Sequence, residues 1–285
     1  MGAPVVGFVF LLFICLVITP NSARALSALG NAVAARGMIV PLWQAIAADD
    51  AHGLERALRR GAEVDYRGAG GLTPLLAAAE RGALPTAALL LQHRASVNAA
   101  DDRGRTPLML AARSARSTID DPSPSPKPEL VVALLEAHAS PHAADNTGRT
   151  ALHEGAACGH EAVVALLLAR GATCDAPTQR GVTPLAAAAA GGHDGALLAL
   201  LRAGASHGPD ADGATPVHVA SAGLHATSVA LLLRAGGTAA STTHDGSTPL
   251  LAALLAARGV PARTTSEEAR AAPSPSPSPS PSPSP

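Results

Sequence analysis

Eleven histidines and three cysteines are the side chains in this sequence with the widest chemistry, so their spacing comes first. His153 and His160 stand seven apart with Cys158 between them, and His218 and His225 repeat that spacing with no cysteine nearby. Two imidazoles and a thiolate could begin a zinc site. Tetrahedral coordination takes four ligands, however, and the sequence places no fourth. Neither His-Glu-x-x-His nor paired Cys-x-x-Cys occurs. A spacing that recurs without its cysteine belongs to the element that recurs, not to a metal. No phosphate-cradling glycine loop, nucleophile elbow or carboxylate pair stands out either. The expectation is a chain that is not an enzyme, with no catalytic residue, no metal and no cofactor.

The element that carries these histidines runs from Gly148 to Ala172 and reads as a helix–turn–helix unit. Thr150 can cap a first helix by accepting a free backbone N–H, and Gly159 can end it in the left-handed conformation. A second helix from Glu161 to Arg170 carries Val163, Val164, Leu167 and Leu168 at helical spacing and stops at Gly171. Such a hairpin is too thin to bury its own apolar face, so it needs neighbours. Thr-Pro-Leu or a close variant supplies them at Thr73, Thr106, Thr150, Thr183, Thr215 and Thr248, in steps of 33, 44, 33, 32 and 33 residues. A glycine stands two residues before each threonine, and proline follows it in five cases, where a missing N–H costs nothing.

This period and motif resemble the ankyrin repeat family, most closely at Thr150-Ala151-Leu152-His153 and Thr215-Pro216-Val217-His218, with Gly159-His160 between the helices. The resemblance covers roughly residues 41 to 258. It implies an all-α repeat solenoid whose repeats are a helix–turn–helix plus a β-hairpin finger, six full and one partial. It implies that the histidines hold neighbouring turns by hydrogen bonds. It also implies a non-catalytic protein–protein interaction scaffold or adaptor, binding a protein along its fingers and the concave face of its first helices.

Within that frame, residues 42–66 form a capping repeat with Leu42, Ile46, Ala47, Leu54, Ala57 and Leu58 on its inner faces. The step of 44 hides an eleven-residue insertion, placed at residues 117–128 between two helices, where alternating Pro and Ser forbid helix. Arg94 and His138 replace the glycine that ends the other second helices, which makes that part of the stack its softest. The lone helix expected from Pro249 to Ala257 has no full second helix after it. The finger tips offer Arg67, then Asp102, Arg103 and Arg105, then Asn146 and Arg149, then Arg180, then Asp212 and Asp245, basic first and acidic last. These are the candidate partner-binding residues.

Net charge is −1, which gives no case for nucleic acid or anionic lipid as the main partner, and a monomer is expected. Lys127 is the only lysine, and the three phenylalanines all lie within the first fifteen residues, so the core must be Leu, Val and Ala. Residues 3–19 are almost wholly apolar and are followed by Ala23-Arg24-Ala25. That is the pattern of a signal peptide cleaved after Ala25, which would send the chain into the secretory pathway. A membrane anchor with cytosolic repeats, through residues 3–19, is the second reading, although seventeen residues span only about 25 Å as helix. A cytoplasmic protein started at Met38 is the third. Cys158 and Cys174 fall at opposite ends of one unit, too far apart to bridge, and free thiols suit a reducing compartment.

The domain plan is therefore a leader or anchor at 1–25, a linker at 26–40, repeats at 41–262 and a disordered Ser-Pro tail at 263–285. Ser123, Ser125, Ser274, Ser276, Ser278, Ser280, Ser282 and Ser284 each precede proline and are candidate modification sites, for phosphate in the cytosol or sugar along the secretory route. The alternative function rests on that tail: a secreted or wall-associated structural glycoprotein in which the repeats are a spacer.

Overall fold

The computed structural model describes residues 40–114 and 128–258. The leader, nearly all of the linker, the inserted loop up to 127 and the Ser-Pro tail lie outside the described residues. The chain divides into two compact units, residues 1–146 and 147–285.

In the first unit, α1 covers residues 40–47, α2 is Ala51–Arg59, α3 Pro74–Arg81, α4 Leu84–Gln92, α5 Pro107–Ser114 and α6 Glu129–Glu136, with a short 3-10 turn at Ala69–Gly71. Helices α2, α4 and α6 touch in succession and form one layer, while α3 and α5 pack together as the other. The second unit holds α7 Ala151–Ala157, α8 Glu161–Ala169, α9 Pro184–Gly191, α10 Asp194–Arg202, α11 Pro216–Ala222, α12 Ala226–Arg234 and the lone α13 Pro249–Ala257. There α7, α9, α11 and α13 make one row and α8, α10 and α12 the other. Both units have the all-α repeat architecture of a solenoid. No run of strand forms among the described residues, which carry only isolated bridge positions at Ala144 and Thr150.

The threonines start the first helices as their chemistry demands. The hydroxyl oxygens of Thr73, Thr183 and Thr248 accept from the N–H of Leu76, Ala186 and Leu251, each at 3.3 Å. Thr106 departs from the pattern. Its hydroxyl oxygen is buried with no hydrogen-bond partner among the described residues, so α5 lacks this cap. Leucine fills the interior: Leu54, Leu75, Leu76, Leu90 and Leu134 in the first unit, and Leu152, Leu167, Leu185, Leu197 and Leu200 in the second, are fully buried. Ala78, Ala79, Ala188, Ala189 and Ala220 are equally buried, and their small side chains let successive first helices stand close.

Two sequence expectations meet different outcomes. Arg94 and His138 do keep the left-handed conformation of the glycines they replace, at φ 61° and 65°. Ala47 is not on an inner face; it is exposed, and its carbonyl accepts Arg81 Nη2 at 2.6 Å. The end of α1 is thereby tied to the end of α3 through backbone rather than through a packed methyl.

Candidate functional site

The histidines turn out to be mortar. The N–H of Thr150 donates to His153 Nδ1 at 3.2 Å, and the N–H of Thr215 donates to His218 Nδ1 at 3.2 Å. On the far side of each ring, Nε2 lies 3.0 Å from the carbonyl of Val182 and 3.1 Å from that of Ser247. A backbone N–H only donates and a carbonyl only accepts, so Nδ1 is the acceptor and Nε2 carries the hydrogen. A ring with both nitrogens engaged has no lone pair left for zinc. The second members of the seven-residue pairs stand at the N-cap positions of α8 and α12, where His160 and His225 sit; His193 holds that position in α10. His193 Nε2 bonds the carbonyl of Ala157 and His225 Nε2 that of Ala190. His153, His193, His218 and His225 thus each join one repeat to its neighbour. Among the described residues no group of three or more His, Cys, Asp or Glu is placed to hold a metal ion.

Cys158 and Cys174 are both free thiols. Burial, then the neighbouring Asp175 carboxylate, push the Cys174 thiol up, which disfavours the reactive thiolate.

The turns ahead of the first helices are closed tightly. The N–H of Asp101 donates to Arg105 O and that of Gly104 to Asp101 O; Thr178 with Val182, Asp210 with Ala214 and Thr243 with Ser247 repeat the arrangement. Adjacent turns within each unit are joined by one backbone bond apiece, at 2.9–3.0 Å. Asp102 N–H reaches Gly70 O and Asn146 N–H reaches Arg103 O in the first unit. Gln179 N–H reaches Thr147 O, Ala211 N–H reaches Arg180 O and His244 N–H reaches Asp212 O in the second. The glycine two residues before the threonine sits at this seam in every described turn but that of Gly246. A Cβ at Gly71, Gly104, Gly148, Gly181 or Gly213 would fall 2.9–3.1 Å from the next turn's backbone nitrogen.

On this frame the candidate partner-binding residues separate into three kinds. Arg103 is exposed at its tip, and only its backbone is engaged, donating to the Asp101 carboxylate at 3.0 Å. Asp102 is exposed beside it. Arg105 is instead folded into its own turn. Its Nε and Nη2 both lie 2.7 Å from Asp101 Oδ2, and the Asp101 side chain is only 3% exposed. Arg149 is likewise drawn back to Glu154 at 2.6 Å. Of the remaining residues, all but Asp245 bridge turns. Arg67 Nη1 reaches Ala100 O, Asn146 Nδ2 reaches Asp102 O, and Arg180 Nη2 pairs with Asp212 at 3.2 Å. Asp245 accepts the hydroxyl of Thr243 in its own turn. The modification serines and the cleavage point at Ala25 lie outside the described residues.

A second polar ladder went unread in the sequence. Ser228, fully buried, donates to Asp194 Oδ1 at 2.6 Å across adjacent second helices. This bond, with one from Thr227 and the nearby His225 and His193, holds the Asp194 carboxyl below the usual carboxylate range. Thr86 makes the matching bond to Asp49. The recurrence of Asp or His at the start of second helices could have pointed to it.

A family model described as ankyrin repeats, in three copies, matches residues 42–119 and 124–210, more than half of the chain. The chain belongs to the ankyrin repeat family. Ankyrin repeats are generally protein–protein interaction modules that bind protein partners, and the family is generally non-catalytic. The chain is similar to neurogenic locus notch homolog protein 1 of Danio rerio, 33% identical over 132 residues, which is 46% of this chain and 5% of that protein. It is similar to the neurogenic locus Notch protein of Drosophila melanogaster, 38% identical over 140 residues, 43% of this chain and 5% of that protein. Ankyrin repeat domain-containing protein 63 of Homo sapiens is 35% identical over 133 residues, 43% of this chain and 31% of that protein. The chain therefore spans a small part of these relatives. Among the described residues no helix is long and apolar enough to cross a membrane.

Proposed function

We propose that this chain is a non-catalytic scaffold that captures a protein partner along the tips of its turns and the exposed flank of its first helices. The observation that supports this most is the contrast between rigid backbone and free side chains at the tips. The turns at 101–105, 178–182, 210–214 and 243–247 are each locked by two bonds of their own and by a backbone bond to a neighbour, yet among the described residues Arg103 stands exposed with no side-chain bond or ion pair. Groups held on a rigid frame lose little freedom on binding, which is what a recognition surface needs. The Arg180–Asp212 pair lies at the turn tips of the second unit. It is 76% exposed on the arginine side, so it contributes little to stability and can exchange for a partner's charge.

The folded-back arginines divide the test. Immobilised full-length chain is used to capture proteins from lysate at low salt, and the captured set is identified by mass spectrometry. Reversal of Arg103 and Arg180 to Glu removes or weakens the captured set, and the effect fades as salt rises. Arg105→Glu instead places a carboxylate against buried Asp101 and lowers the urea midpoint. Unchanged capture by the Arg103/Arg180 double reversal overturns the assignment of the tips.

A further inference from the structure

The second helices of the second unit carry charge at their ends and none between. Helices α8, α10 and α12 lie side by side in one row. Glu161 opens α8, Asp194 opens and Arg202 closes α10, Arg234 closes α12, and Arg170 caps the C-terminus of α8. Residues 162–169, 195–201 and 226–233 hold no Asp, Glu, Lys, Arg or His. Ala162, Ala165 and Ala169 stand exposed along α8 at helical spacing; Leu198 is half-buried on α10, and Ala230 and Leu233 are exposed on α12. A surface helix ordinarily turns charged residues outward. These three turn out alanine and leucine, and within those spans Thr227 is the one exposed polar side chain.

The two ends of this surface differ in sign and in use. At the N-terminal end, Ser228 Oγ donates to Asp194 Oδ1 at 2.6 Å, and the Glu161 carboxylate lies over Gly195. At the C-terminal end, Arg170, Arg202 and Arg234 are all exposed, and among the described residues none of their guanidiniums makes an ion pair or hydrogen bond. Asp194 and Arg202 stand eight residues apart, about 12 Å of helix, so the arginines are clear of the carboxylates. Attraction to the helix dipole accounts for an arginine at a C-terminus. It does not account for three in a row beside a surface stripped of charge.

A strand of nucleic-acid phosphates would satisfy the guanidiniums but leave alanine and leucine against a hydrated, charged backbone. An anionic lipid surface matches both parts, with phosphate headgroups for the arginines and hydrocarbon for the residues beside them. Arginine stems are long enough to keep their heads at headgroup level while the apolar face lies lower. The whole-chain charge of −1 averages this edge away. We propose that the outward face of α8, α10 and α12 is a docking surface for an anionic lipid bilayer, with Arg170, Arg202 and Arg234 at the headgroups. It uses none of the turn-tip residues and does not depend on what they bind.

The test is partition of the full chain between buffer and vesicles of phosphatidylcholine, alone or with phosphatidylserine added. Each arginine near an anionic surface contributes about fivefold, so the mixed vesicles are preferred on the order of a hundredfold at low salt. Arg170→Glu, Arg202→Glu and Arg234→Glu together abolish that preference with an unchanged circular dichroism spectrum, because all three positions are exposed. Ala165→Trp adds an indole on the face, read as the difference from a parent whose one tryptophan is Trp43. Its emission moves to the blue on mixed vesicles, and stays in place when the three arginines are reversed. Preference kept by the triple variant assigns attachment to another part of the chain, the apolar residues 3–19 included, and overturns the proposal. Equal partition onto both vesicles or an unmoved indole overturns it too; no partition onto either does the same and leaves an acidic protein surface as what the arginine row meets.

Discussion

Gly148 and Gly246 occupy the same place in their turns and have nearly the same backbone, φ 83° and 80°, yet their surroundings differ. Alanine at either position takes on the left-handed penalty of about 1–2 kcal/mol. At Gly246 nothing among the described residues lies within 4 Å of the new methyl, so that penalty is the whole effect. At Gly148 the methyl would sit 2.9 Å from Gln179 N and 3.0 Å from Thr178 Cα. Both are backbone atoms and cannot swing aside. The two turns must part, and the bond from Gln179 N–H to Thr147 O, now 2.9 Å, stretches or breaks. That adds about 0.5–1.5 kcal/mol for the bond and about 1–3 kcal/mol for the overlap. Gly148→Ala should therefore cost about 1.5–4.5 kcal/mol more than Gly246→Ala. Urea titrations followed by far-ultraviolet circular dichroism measure the difference. Asparagine sharpens it: tolerant of the left-handed region, it should be nearly neutral at 246 and still costly at 148. Equal midpoints for the two alanine variants would refute the view that the seam between turns, rather than φ alone, demands glycine.

Arg94→Gly and His138→Gly should each stabilise the chain, by up to about 1 kcal/mol, because both residues are held at positive φ; raised urea midpoints check this. Ser228→Ala should destabilise at neutral pH by about 1 kcal/mol, the value of a hydrogen bond to a part-exposed charge. The folded state holds the Asp194 carboxyl below its usual range, so this stabilisation is full above the unfolded carboxylate pKa and is lost as pH falls through the folded one. The gap between the Ser228→Ala and parent midpoints should close in acid.

Where the helices begin and end was legible because the residues that decide it act locally. A threonine oxygen reaches an N–H three residues on, proline pre-sets the first turn, and glycine accepts the left-handed stop; α13 spans Pro249–Ala257, as the pattern predicts. Which side chains stand free at the tips was not legible. Arg103 and Arg105 are two apart and alike in type, and only the fold shows Asp101 inside the turn, turning one of them inward. Burial escaped the pattern as well. Leu250 and Leu185 follow their threonines identically, yet one is exposed and the other buried.

The same separation explains how such a chain can vary its surface without losing its fold. Cohesion between turns runs through backbone groups, as from Gln179 N–H to Thr147 O, and through rings whose partners are carbonyls, as from His153 to Val182. Neither interaction reads the identity of the tip residue. Substitution at Arg103 or Arg180 leaves that cohesion intact, whereas substitution at Asp101, His218 or Gly148 does not, although all five belong to the same turns or the helix starts beside them. In the proposed function, recognition and stability are thus assigned to neighbouring residues facing different ways. Under the proposed function, the partner is selected by the few side chains that the backbone ladder holds in place and does not itself use.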